Sequence, residues 1–109
     1  ISQKAIYDTV DVGISNYNSA IPDKFALYQN YPNPFNPSTL IKFDIASSSA
    51  ASLIVYDLLG QEIESLVDQV LAPGTYQYSF NASKYPSGIY YYRIKTDEFT
   101  EVREMIFLK

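Results

Sequence analysis

At 109 residues and 47% hydrophobic, the chain has room for one domain and enough apolar material to fold, which excludes disorder throughout. Twelve acids against eight bases give a net charge of -4, which argues against nucleic acid as a partner, and no apolar run is long enough to span a bilayer. With no cysteine there is no disulfide or thiolate chemistry, and with no histidine the usual metal ligand and general base are missing, so catalysis is disfavoured before any motif is weighed.

The apolar residues are those that favour strands: eleven Tyr and six Phe, with many Ile and Val. The sequence starts at Ile1 without a signal-peptide pattern, so the expectation is a piece from the end of a longer protein. Residues 5–15 alternate loosely, with Ile6, Val10, Val12 and Ile14 on one side, and read as a strand. It belongs either to an upstream domain or to this one as an extra edge. Residues 16–24 are polar and turn-rich, a linker composition, and the domain boundary is placed there, giving an upstream strand and linker in 1–24 and a compact domain in 25–109.

Residues 25–30 form a short first strand leading into Tyr31-Pro-Asn-Pro-Phe-Asn-Pro-Ser. Pro32, Pro34 and Pro37 cannot donate to a sheet ladder and forbid a helix interior. Asn33 and Asn36 favour tight turns, and Tyr31 and Phe35 are the two large side chains available as anchors. Next comes a half-buried strand over 38–46, with Ile41, Phe43 and Ile45 on one face, then a polar turn at 47–49. Residues 51–58 are apolar on both faces, as a central strand requires, and Asp57-Leu58-Leu59-Gly60 closes a hairpin onto 61–67. A loop at 68–74 ends in Pro73-Gly74, followed by Tyr76, Tyr78 and Phe80 in clean alternation. After a second loop at 82–88, residues 89–95 place Tyr90, Tyr92 and Ile94 on one face, and 99–108 return as the last strand. The reading is all-β, with seven strands at sandwich spacing.

Four segments occur in order: Tyr31-Pro-Asn-Pro-Phe-Asn-Pro-Ser-Thr, Val55-Tyr56-Asp57-Leu58-Leu59-Gly60-Gln61-Glu62, Ala72-Pro73-Gly74-Thr75-Tyr76, and Ser87-Gly88-Ile89-Tyr90-Tyr91-Tyr92-Arg93. Together, over residues 25–109, they resemble the C-terminal sorting domain (type A) of the type IX secretion system of Bacteroidetes. The Ig-like domain of the flagellar hook-capping protein is similar in its Val-Tyr-Asp hairpin and Gly-x-Tyr strand. The resemblance implies a seven-stranded antiparallel Ig-like β-sandwich that serves as an address and carries no chemistry. Its cargo lies upstream. The implied partners are the outer-membrane secretion machinery and, in many cases, a sortase-like peptidase that removes the domain. The implied route runs through the periplasm to the cell surface or the medium. The motif positions carried over are Pro32, Asn33, Pro34, Phe35, Asn36, Gly60, Gly88, Tyr90 and Lys109. One departure is Glu104, where the family places a basic residue before the apolar end, leaving Arg103 and Lys109 as the nearby positive charges.

Other readings compete with this one. The proline segment also reads as a rigid cover for a sheet edge, and Gly60, Gly74 and Gly88 as turn residues. The tyrosine stripes at strand spacing read as core, which leaves Tyr85 and Tyr91 as the expected exposed aromatics. Asp57, Asp68, Asp97 and Glu98 lack calcium-loop spacing, so no metal or other cofactor is expected. Glu62, Glu64, Glu101 and Glu104 lack a sheltered partner for acid–base work. A carbohydrate-binding or structural Ig-like accessory module of a secreted enzyme is the alternative function. The last strand, with its free terminus, is the expected docking edge. An unpaired N-terminal strand would also allow a strand-mediated homodimer.

Overall fold

The computed structural model describes the backbone of residues 14–18 and all of residues 21–109. Alternation decides most of it. In β3 (Ser38–Ile45) the inward row is Thr39, Ile41, Phe43 and Ile45, and in β4 (Ser49–Tyr56) it is Ser49, Ala51, Leu53 and Val55. Residues of period two on one face can only be buried together if the chain is extended, and both segments are. The described residues contain eight strands, all paired antiparallel, and no helix. One sheet runs β1 (Ile14–Asn18), β6 (Gly74–Asn81), β3, β2 (Ala26–Leu27). The other runs β5 (Glu62–Leu71), β4, β7 (Gly88–Lys95), β8 (Thr100–Phe107). Strands β2 to β8 make the seven-stranded sandwich, and β1 adds an edge to β6.

Aromatic rings fill the space between the sheets. Tyr76, Tyr92, Phe43, Phe80 and Phe107 are fully buried, and Phe43 stacks on Tyr76 with centroids 5.7 Å apart. A buried phenol needs a partner for its hydroxyl. Tyr76 donates to the Ala72 carbonyl at 2.7 Å and Tyr90 to the Pro86 carbonyl at 2.6 Å, so each pins the loop that enters its own strand. Tyr92 donates across the sandwich to the Tyr28 carbonyl at 2.7 Å.

Several boundaries differ from the sequence reading. The loop expected at 68–74 is mostly strand: β5 continues to Leu71 because Val67 and Leu71 are buried opposite Leu53 and Ser49. Likewise Ser49 belongs to β4, where its side chain is small enough to face inward. The first strand shrinks to Ala26–Leu27, and the backbone beyond it is held by isolated bonds such as Tyr28 N–H to Lys42 O at 3.0 Å. The strand read at 5–15 lies outside the described residues except for its end, where β1 extends to Asn18 and pairs with β6. Tyr31 is no anchor: it is 78% exposed, and Phe35 alone is inserted. Tyr85 is half-buried against the core rather than exposed, stacked near Phe80 and Tyr90, because its hydroxyl can still reach Glu64 at 2.5 Å.

Candidate recognition surface

The proline segment lies along the outer edge of β8. Its prolines have no N–H to offer, so the pairing uses the residues between them. Phe35 forms a parallel bridge with Phe107, its N–H donating to Ile106 O at 3.0 Å while its carbonyl accepts Leu108 N–H at 3.1 Å. The Asn33 side chain accepts the Ile106 N–H at 2.9 Å, and the Gln29 side chain donates to Glu104 O at 2.7 Å. From Glu104 to Leu108 the edge is therefore sealed, and the expectation that this strand offers an open edge is corrected. The ring of Phe35 closes the seal from inside, 2% exposed, 5.2 Å from Phe107 and 6.3 Å from Phe80. Burial of one phenylalanine is worth about 1.5–3 kcal/mol, so a single residue supplies much of the hold.

Behind the segment sits a polar hub. Asn30 is buried, its N–H donating to the Tyr92 hydroxyl at 2.7 Å and its side-chain amide donating to Thr39 Oγ1 at 3.0 Å and Pro32 O at 3.1 Å. Thr39 in turn donates to Pro32 O at 2.8 Å. Burial pushes the Tyr92 phenol up to about 12, although the Asn30 N–H and the Arg103 charge pull the other way.

The remaining motif residues gather at the same end. Asp57 Oδ1 accepts the N–H groups of Leu59 and Gln61 at 2.9 Å each, which shapes the β4–β5 hairpin, and Gly60 completes it with a φ of +85°. This turn lifts Leu58 and Leu59 into solvent, 62% and 82% exposed. Together with Ser87, Gly88, Ile89 and Tyr90 they line a shallow cleft of about 220 Å³. Tyr90, with its ring buried, has its phenol raised by burial and by the nearby Asp57 carboxylate. Gly88 stands opposite Phe107 in the β7–β8 ladder, and the Lys109 N–H donates to Ser87 Oγ at 2.9 Å, tying the C-terminus to the cleft's rim.

Of the residues expected from the sequence, Gly88 and Tyr90 thus line the cleft, Gly60 shapes the turn that carries its leucines, Lys109 bonds Ser87 at its rim, and Phe35 joins them through Phe107 and Leu108. Pro32 acts through its carbonyl and Asn33 through its side chain, while Pro34 and Asn36 are exposed. Gln29, Asn30 and Ser87 were missed. A polar residue beside a proline run is an ordinary loop signal, and only the fold reveals that these three bond the last strand or its support.

No curated protein matches the chain. A protein-family comparison matches residues 29–108, most of the chain, to the family described as the secretion system C-terminal sorting domain. The match spans the proline segment, both cleft-forming turns and the whole of the final strand. The chain belongs to the C-terminal sorting domain family of the type IX secretion system.

Proposed function

We propose that this domain is a non-catalytic address that takes an attached cargo across the outer membrane, passing folded through the periplasm, and that a sortase-like peptidase removes it where the cargo is to stay on the surface. The family match over residues 29–108 carries the reading. The geometry supports it in one respect: the proline segment, the hairpin at 55–62 and the segment at 87–93 serve a single construction, a sealed last strand with a leucine-tipped cleft at its end, whereas residues 72–76 turn the chain at the opposite end of β6. The face read by the export machinery is the tip formed by Leu58, Leu59 and the Lys109 terminus. A tyrosine platform for sugars finds less support, since Tyr76, Tyr90 and Tyr92 are core residues.

The test is a reporter carrying a signal peptide, fused to the full chain and expressed in a host with this secretion system. Surface exposure of the reporter is expected, and retention of a folded fusion in the periplasm would overturn the assignment. Truncating 105–109 is a poor probe, because Met105 and Phe107 are fully buried and their loss unfolds the sandwich. Leu58→Ser with Leu59→Ser is the better one. It should melt like the parent yet lose delivery; undiminished delivery would move the recognition face elsewhere.

A further inference from the structure

The second sheet has two outer strands, and the described residues cover only one of them along its edge. The edge of β8 is sealed from Glu104 on. Along β5, the ladder to β4 is the only backbone pairing among the described residues, and the side-chain contacts there come from Lys84 and Tyr85 and stay at its first residues, the Tyr85 hydroxyl bonding Ile63 O at 3.4 Å. Ten residues make this the longest strand among the described residues. Two bulges bend its first half, and Val67–Leu71 pairs in regular register. An extended edge with free N–H and C=O groups is a template for an added strand.

Charge says what kind of strand. The segment carries Glu62, Glu64 and Asp68 and no Lys or Arg. Glu64 is engaged by Tyr85 at 2.5 Å and lies 4.0 Å from Lys84, whereas Glu62 and Asp68 are exposed. Val70 beside them is 69% exposed, an apolar contact for a partner on the same edge. A second copy is a poor occupant, because the exposed Glu62 and Asp68 of each chain would be set against another acidic strand, and the nearby base Lys84 already lies 4.0 Å from Glu64. We infer that β5 is a strand-addition site for a basic, extended segment of the export machinery, with Lys or Arg set against Glu62 and Asp68. This rests on the sorting reading and extends its contacts from the leucine-tipped hairpin along β5.

The experiment compares three full-length fusions in the secretion-competent host: the parent, Glu62→Lys/Asp68→Lys, and Asp97→Lys/Glu98→Lys, which makes the same change in net charge in the β7–β8 turn. Melting curves of the purified domains check that both variants fold, and Glu62→Gln/Asp68→Gln gives the neutral counterpart. Like charges set against each other cost several kcal/mol, so the β5 reversal should cut surface-exposed reporter about tenfold or more. The neutral pair should fall between it and the parent, and the turn reversal should match the parent. A folded β5 reversal delivered as well as the parent overturns the edge assignment alone, as does equal loss from both reversals. Retention of the parent itself overturns the sorting reading, and this inference with it.

Discussion

Strands β5 and β8 bound the same sheet and have been treated in opposite ways. β8 is the last strand in chain order and is sealed by main-chain bonds from Phe35 and side chains of Asn33 and Gln29. β5 is long, acidic and open along its outer edge among the described residues. A bare edge invites unwanted pairing, and sandwiches usually blunt it with charge, bulges or a covering segment. Here the covering segment went to the strand near the terminus, and charge with bulges went to the other. The rigid proline run is thus a lock on the last strand, and Leu108 and Lys109 beyond it are held by Phe35 O and Ser87 Oγ.

The largest way to break this contrast is Phe35→Ala. Truncating a buried phenylalanine costs about 3–5 kcal/mol, and here it also unseats the segment that covers β8. Chemical denaturation should register the loss, and a preserved midpoint would show that the seal is held elsewhere. Second in size is Asn30→Ala, which strips a buried amide from Thr39 and Pro32 and should cost about 1–3 kcal/mol while leaving the β4–β5 pairing unaffected. Alkaline pH acts on the same hub. The folded-state value of Tyr92 lies above that of an unfolded tyrosine, so its stabilisation is complete below pH 10 and is lost as pH rises from there toward about 12. A pH series of melting temperatures should be level to that point and then fall, with Tyr28, Tyr85 and Tyr90 adding to the loss; a Tyr92→Phe variant should be flatter, and the share it removes should be smaller than the cost of Phe35→Ala. The smallest effect belongs to Asn33→Ala, which removes one exposed bond to Ile106 N–H and should cost about 0.5–1.5 kcal/mol, read as faster exchange at that amide.

Much of this was legible in the residues. Ile41, Phe43, Ile45, Tyr76, Phe80, Tyr90, Tyr92 and Ile94 all face the core as period-two patterning required. The hairpin at Asp57–Gly60 was legible because its turn chemistry is local. What escaped was long-range. Nothing in a proline run states which edge it will cover, and the 2.9 Å bond between Asn33 and Ile106 joins residues 73 positions apart. Tyr31 and Phe35 look equivalent in sequence, yet one is exposed and the other inserted, since only Phe35 meets Phe80 and Phe107. The extension of β5 through 68–71 was hidden by Asp68 and Gln69, polar residues that read as loop until Leu53 and Ser49 are known to lie opposite.

Native-state hydrogen exchange on the folded domain weighs the sealed edge against the open one most directly. The amides of Ile106 and Leu108, bonded by the proline segment, should exchange as slowly as the ladder amides of β7. The amides of β5 that do not bond β4 should exchange orders of magnitude faster. Fast exchange at Ile106 and Leu108, or uniform protection along β5, would contradict the account.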